Sequence, residues 1–310
     1  MGKRKKEVKE IWKVLPIFIL LFCSLFLLSG IDGCPKEEAE EAEVFGLMSS
    51  FVENAPPIRV SVNQEFPIYV EIQNKGGAYI NPGEAKFYLT GIGRNLEGVK
   101  TTASNERSLA KESISLDRIV FADKSKFTFE LQEDYIYTLP LVLYSCYNYG
   151  TTVQTGICIA PANESRVCSV EGEKITATSN SIAPIQISSL TEEAIGNKLR
   201  ISFVIVNNLA GQVYLPDADC DRLQAKDFRE VLKQDKVHVE IRTLEKDLIC
   251  KLQDLEEPFA PIDSLIGTAN IGKVVCEKTF GEEGDHVSPF AVILRYKYVG
   301  STVKNINIVA

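Results

Sequence analysis

The sequence is poor in the residues on which many active sites depend. Its 310 residues include only two histidines, His238 and His286. Histidine is the commonest general acid or base and a frequent metal ligand, so these chemistries have little material here. The sequence also has no Gly-x-Ser-x-Gly motif and no phosphate-binding loop. We therefore expect no catalytic residue, no cofactor and no enzymatic activity.

The chain also lacks an excess of positive charge. Lysine and arginine number 34 against 42 acidic residues, which gives a net charge of −8. A general nucleic-acid-binding protein would show a basic face, so we expect no nucleic-acid partner. Hydrophobic residues make up 45% of the chain and charged residues 25%, which are ordinary values for a globular protein. The length is sufficient for two domains.

The N-terminus indicates an exported and tethered protein. Residues 1–13 are rich in lysine and form a basic region that we expect to stay in the cytoplasm. Residues 14–34 form an apolar signal or anchor segment. This segment ends in a sequence similar to a lipobox, with Cys34 as the residue that would be lipidated. Whether the segment is a signal peptide of a lipoprotein or an uncleaved transmembrane helix stays open, and either places the body outside the cell membrane.

A spacer follows the anchor. Residues 35–56 begin with a run of glutamates that repel one another and extend the chain. We expect this range to be an acidic tether.

An internal repeat defines the rest of the chain. The segment 140–149 and the segment 289–298 both read Pro, an aliphatic run and Tyr-x-Tyr, and two further echoes occur in the same order. We therefore predict a first domain over 57–170, a linker over 171–182 and a second domain over 183–310. Because Tyr147, Tyr149, Tyr296 and Tyr298 recur in both copies, we expect a shared packing role rather than a binding platform.

The periodicity of both copies is that of strands. Residues 66–72 and 199–205 alternate apolar and other residues, and turn signals separate further short strands. The sequence thus predicts an all-β protein with two tandem immunoglobulin-like antiparallel β-sandwich domains behind an N-terminal membrane-anchoring helix. A helix is predicted near 221–233 as an insertion in the second copy, with Asp221 as a possible cap.

A family resemblance accompanies this pattern. The stretch 66–77 resembles the second-strand signature of CARDB-like immunoglobulin-type domains. The matching residues are Asn74, Gly76 and Gly77, with Asn207, Asn208 and Gly211 in the second copy. Such domains occur in archaeal and bacterial envelope proteins, often in tandem and anchored to the membrane. The resemblance implies an immunoglobulin-like fold and an adhesive or structural setting, and it implies no catalytic residue.

Six cysteines follow the anchor: Cys146, Cys158, Cys168, Cys220, Cys250 and Cys276. An even number in an exported chain favours disulfides. Cys146 and Cys158 are both missing from the second copy, so we predict that they pair across a hairpin centred near Thr152, on the outside of the sheet. Cys250 is predicted to pair with Cys276, and Cys168 with Cys220 by elimination. Pairing of Cys158 with Cys168, and of Cys146 with Cys220, stays open.

Two further sites are suggested by short patterns. The alternating carboxylates of Asp217, Asp219 and Asp221 could bind a calcium ion, with a solvated acidic turn as the alternative. Asn163 lies in an Asn-x-Ser sequon and is a possible glycosylation site.

These observations favour a non-enzymatic, membrane-anchored extracytoplasmic protein whose two modules serve adhesion, envelope structure or protein–protein interaction. Its expected partner is another envelope protein or a glycan. The first alternative is a module that binds a solute or an ion, in the groove between the domains or at the Asp217 turn. The second is an envelope hydrolase whose site the sequence does not reveal.

Overall fold

Strands whose side chains alternate between a core and a second face build most of this molecule. The computed structural model describes residues 44–310 apart from 94, 161–166, 246, 257–263 and 282–283. The alternation is clearest in β3, where every second residue is buried. The strands are β1 (Leu47–Phe51), β2 (Arg59–Ser61), β3 (Phe66–Asn74), β4 (Ala85–Thr90), β5 (Leu96–Glu97), β6 (Thr102–Ser104), β7 (Asp117–Phe127), β8 (Ile136–Ile159), β9 (Gly172–Glu173), β10 (Ile185–Ile195), β11 (Lys198–Asn207), β12 (Gln212–Tyr214), β13 (Lys236–Thr243), β14 (Ile249–Cys250), β15 (Gln253–Glu256), β16 (Ser264–Asn270), β17 (Gly272–Thr279) and β18 (His286–Val309).

The strands form three sheets. One is four-stranded with the order β1-β3-β7-β5, and another is five-stranded with the order β14-β17-β11-β10-β9. The third has nine strands, in the order β15-β16-β13-β18-β8-β4-β6, with β12 and β2 also paired to β18. Residues of all three sheets belong to one buried apolar cluster. The predicted all-β class with antiparallel packed sheets is thus confirmed.

Two long strands join the copies. β8 and β18 each have 24 residues and pair antiparallel from His286 opposite Ile159 to Val309 opposite Ile136. The two copies of the sequence repeat therefore share one sheet. The boundaries 57–170 and 183–310 stay a prediction.

The strand registers of the two copies correspond to each other. Leu47 of β1 lies opposite Asn74 of β3, and Ile185 of β10 lies opposite Asn207 of β11. β4 pairs with β8 in the first copy as β13 pairs with β18 in the second. Each copy therefore lays a smaller sheet against its share of the nine-stranded sheet.

The two copies differ in the segment after β3 and β11. In the second copy, residues 210–235, here called the insertion, contain β12 and two short helices, α1 (Cys220–Gln224) and α2 (Phe228–Val231). The predicted single helix over 221–233 is wrong. Lys226 has φ 58°, a left-handed conformation that ends α1, and the carboxylate of Asp227 then caps α2.

The predicted tether is also shorter than expected. Residues 47–51 lie inside the range 35–56, yet they form β1 and pair with β3. The reason is the burial of Leu47, which lies in the main cluster. No helix within the described ranges is long and apolar enough to cross a membrane. The predicted anchor over 14–34, and Cys34 with it, lies outside those ranges.

Candidate functional site

The insertion covers the outer face of the nine-stranded sheet, the face opposite the four buried tyrosines. A disulfide joins Cys146 of β8 to Cys220 at the start of α1, with the Cα atoms 6.0 Å apart. Lys297 of β18 donates a hydrogen bond from Nζ to the carbonyl oxygen of Ala218. Burial lowers the pKa of this lysine. The insertion is therefore fixed to both long strands.

Asp221 provides a second attachment. Its Oδ1 accepts a hydrogen bond from the hydroxyl of Tyr88 at 2.7 Å, and its Oδ2 lies 2.5 Å from Nζ of Lys86. These two hydrogen bonds, that from Lys86 first, lower the pKa of the Asp221 carboxyl. Burial, together with the bond to Asp221, raises the pKa of Tyr88. The contact thus joins the insertion to β4 of the first copy.

A cavity of about 400 Å³ lies between the insertion and the sheet, and we call it the insertion cavity. Its floor includes a row of side chains across three strands. Tyr88 lies opposite Tyr144, and Tyr144 lies opposite Ser301. Side chains directly opposite one another on adjacent strands point to the same face of the sheet. The row therefore presents an aromatic centre with a hydroxyl at one side.

The wall and the floor of the insertion cavity are held by a small apolar cluster. Tyr88, Cys146 and Cys220 are buried in it, and Tyr144 and Leu223 pack against it. Tyr144 is half-buried and packs against this cluster, so part of its side chain stays accessible. The packing restricts the motion of the ring.

Two glycines allow close backbone packing on the inner face of the sheet. Gly300 lies directly before Ser301 and opposite Ser145, and a Cβ atom there would lie 3.2 Å from the Ser145 Oγ. At Gly211 a Cβ atom would lie 2.4 Å from Cε1 of Tyr298. Both residues line the insertion cavity. The side chains that these Cβ atoms would meet, Ser145 and Tyr298, lie on the inner face, so the glycines contribute backbone to the lining of the cavity.

The three aspartates suggested as calcium ligands have different partners. The Asp217 carboxylate lies 2.9 Å from Nζ of Lys233. The Asp219 carboxylate accepts hydrogen bonds from the backbone of α1, so Asp219 and not Asp221 is the cap of this helix. Asp221 faces β4 as described above. No group of three or more His, Cys, Asp or Glu side chains suited to a metal ion occurs in the part of the chain that the structure describes. The contacts of these carboxylates are explained without a cation.

The remaining cysteines also form disulfides. Cys158 pairs with Cys168, and Cys250 pairs with Cys276. The predicted pairing of Cys250 with Cys276 is confirmed, since the two residues lie directly opposite in β14 and β17. The position of the Cys146 bridge on the outside of the sheet is confirmed as well.

The predicted pairs Cys146–Cys158 and Cys168–Cys220 are wrong. No hairpin turns near Thr152, because β8 runs straight through it from residue 136 to residue 159. Twelve residues of extended strand separate Cys146 from Cys158, which corresponds to about 40 Å. A disulfide needs Cα atoms within about 7 Å. The open alternative, in which Cys146 pairs with Cys220 and Cys158 with Cys168, is the one that the structure contains.

The four repeated tyrosines pack in the core, as expected. Tyr147 lies opposite Tyr298 and Tyr149 opposite Tyr296, and all four are buried. Each hydroxyl has a partner: Tyr149 donates to Oδ1 of Asn74 at 2.9 Å. Tyr298 makes the equivalent contact with Oδ1 of Asn207 at 3.4 Å. The asparagines of the family-like signature therefore act as partners of the core tyrosines.

Buried ion pairs surround Glu245, and the sequence does not predict them. Glu245 lies 3.0 Å from Nζ of Lys278 and 3.2 Å from Nε2 of His286. Burial acts to raise the pKa of Glu245, but hydrogen bonds from Ser288, Lys278 and His286 outweigh it and lower the pKa. Glu245 follows β13, Lys278 lies in β17 and His286 begins β18, so no local pattern could have revealed the contacts. The sequon residue Asn163 lies outside the described residues.

Comparisons with known proteins assign no family. No protein-family model matches the chain, and no curated protein matches it. Among solved structures, the chain is similar to the secreted serine protease VesC from Vibrio cholerae, with 12% identity and a TM-score of 0.20. The match covers 81% of this chain and 51% of the protease chain. The chain thus spans about half the length of that structure. At this TM-score the likeness carries no argument about fold or function.

Proposed function

We propose that the chain is a non-enzymatic, membrane-anchored protein of the cell envelope, with its body on the extracytoplasmic side. In this proposal two immunoglobulin-like copies present a rigid surface for adhesion, envelope structure or protein–protein interaction. The main support is the pairing of all six cysteines that follow the predicted anchor into three disulfides. Disulfides form and persist in oxidising compartments and are rare in the cytosol.

The construction of the body supports a presenting role. The continuous β8–β18 ladder runs through both copies, and the Cys146–Cys220 bridge fixes the insertion to it. Such an arrangement holds a surface in one geometry, which lowers the entropy cost of binding a partner. The same surface carries exposed apolar side chains in the insertion: Phe228 is 71% exposed and Leu232 is 57% exposed.

The insertion cavity favours a second candidate function. Its volume of about 400 Å³ falls within the range of about 300–1,000 Å³ that small-molecule sites occupy. A module that binds an extracytoplasmic solute is therefore the runner-up. Both functions would use the same face of the nine-stranded sheet.

Cell fractionation tests the proposed location. The full-length chain should sediment with membranes, and deletion of residues 1–34 should release the body into the soluble fraction. A Cys34→Ala variant distinguishes the two anchors, because it abolishes lipidation and leaves an uncleaved helix intact. Mass spectrometry of the mature N-terminus and non-reducing peptide mapping complete the test. Recovery of the full-length chain in the cytosol with free thiols would contradict the proposal.

A further inference from the structure

We propose that the insertion cavity binds a neutral saccharide unit of a glycan, with the Tyr144 ring as its stacking face. This inference rests on the proposed function in one respect: a body on the extracytoplasmic side has access to the glycans of the envelope. The cavity itself combines an accessible aromatic ring with uncharged polar groups.

The aromatic part of the site fits the apolar face of a sugar ring. A pyranose presents C–H groups on one face, and the negative π-face of an aromatic ring attracts such hydrogens. Tyr144 offers this face because it is half-buried, whereas Tyr88 and Tyr214 are only 5% and 6% exposed. Packing of Tyr144 against the cluster of Tyr88, Cys146 and Cys220 restricts the ring, so ordering it on binding costs little entropy.

The polar part of the site fits hydroxyl groups. The side chains of Tyr144, Gln224 and Ser301 line the cavity and make no hydrogen bond to the described part of the chain. Together they offer hydroxyls and an amide, each of which can both donate and accept. A sugar hydroxyl also does both, so this set matches it better than it matches a purely apolar molecule.

The charges favour a neutral ligand. Among the described residues that line the cavity, Lys226 at its edge is the only charged one. The nearby Asp221 carboxylate is already engaged by Lys86 and Tyr88. The chain as a whole is acidic, with a net charge of −8, which disfavours an anionic glycan. A hexose or an N-acetylhexosamine therefore fits better than a sulfated or a uronic sugar.

The test is a binding measurement with the purified full-length chain in detergent. The probes are arrayed oligosaccharides of neutral hexoses and N-acetylhexosamines, with sulfated and sialylated oligosaccharides as a contrasting arm. Neutral probes that bind are then titrated by isothermal calorimetry against the wild type and the variants. Because the protein is purified, this result does not depend on where the protein is located, and a failed fractionation experiment leaves it unaffected.

Three variants locate the site. Tyr144→Ala should weaken saccharide binding by about tenfold or more, whereas Tyr144→Phe keeps the stacking face and should stay within about threefold of the wild type. Ser301→Arg places a long side chain in the cavity from an exposed position and should abolish binding. Tyr79→Ala is the matched control, because Tyr79 is a tyrosine that is 62% exposed elsewhere. Near-ultraviolet circular dichroism and disulfide mapping show whether each variant is folded.

Several outcomes would overturn the inference. These are no saccharide binding in the millimolar range, binding of anionic probes alone, or neutral binding that both Tyr144→Ala and Ser301→Arg leave unchanged. Photo-crosslinking from the Ser301 position on intact envelopes adds a further arm. Capture of a protein there, with no glycan attached, would assign the face to protein–protein contact instead.

Discussion

The repeated tyrosines allow a matched test of the fold. Tyr149→Phe and Tyr298→Phe each remove one buried hydroxyl and keep the ring, so neither creates a sizeable cavity. In the first copy, the Tyr149 hydroxyl is the sole donor to Oδ1 of Asn74 among the described residues, and Asn74 is 1% exposed. Its loss leaves a buried acceptor unsatisfied, which costs about 1–3 kcal/mol. We expect a loss of about 2 kcal/mol.

The second copy should lose less. Oδ1 of Asn207 also accepts a hydrogen bond from the backbone nitrogen of Leu209 at 3.3 Å, and this bond survives in Tyr298→Phe. The main loss in Tyr298→Phe is a different hydrogen bond. In the wild type the backbone N–H of Gly211 donates to the Tyr298 hydroxyl at 2.9 Å, and the variant removes this acceptor. The N–H group is only partly buried, so we expect a cost of about 1 kcal/mol.

Equilibrium urea unfolding of the oxidised protein measures both costs. We expect the slope of the unfolding free energy against urea concentration to be the same in the wild type and the variants. Tyr135→Phe is the control, because Tyr135 is 59% exposed and should lose nothing measurable. Equal costs for the two core variants, or a larger cost for Tyr298→Phe, would refute the role assigned to Asn74.

Three other perturbations have defined outcomes. Replacing Cys146 and Cys220 by alanine opens a loop with a sequence separation of 74, which should cost about 4 kcal/mol in urea unfolding; a loss below about 1 kcal/mol would contradict the loop-entropy reasoning. The pKa of Glu245 lies below its ordinary value of 4.5. Its contribution is therefore present above that value and is lost as pH falls through the lowered pKa, so Glu245→Gln should flatten the fall in unfolding free energy between about pH 5 and pH 3. Gly211→Ala places a Cβ atom 2.4 Å from the Tyr298 ring and should lower the free energy of unfolding by about 1–3 kcal/mol; an unchanged thermal midpoint would exclude the close approach.

Local pattern sufficed where a strand has one buried face. The alternation over 66–72 and 199–205 predicted β3 and β11, because a period of two is imposed by the strand itself. The repeated tyrosines were placed in the core for a similar reason, since a recurring aromatic in a strand indicates shared packing. The even number of cysteines, together with the predicted export, was sufficient to predict disulfides.

Long-range pairing was beyond the sequence. The hairpin near Thr152 was predicted from the two cysteines that the second copy lacks, yet β18 pairs with this stretch without interruption and stabilises it as strand. The single helix predicted near 221–233 does not form because a left-handed Lys226 divides it into two, and Phe228 is exposed. The insertion cavity depends on both effects, since its floor is β8 and its wall is the divided helix. The sequence feature that pointed to this region was the insertion in the second copy, which contains Cys220.

The full-length pairing of β8 with β18 also bears on how either copy could exist alone. A single copy would expose one edge of a 24-residue strand, with a long row of unpaired amide and carbonyl groups. Such an edge recruits other strands and promotes aggregation. Within one chain, each copy covers the other's edge at a high effective concentration. The two copies therefore associate within one chain as two subunits would in a dimer. The pairing of β8 with β18 keeps the exposed backbone edge of each copy from pairing with strands of other chains.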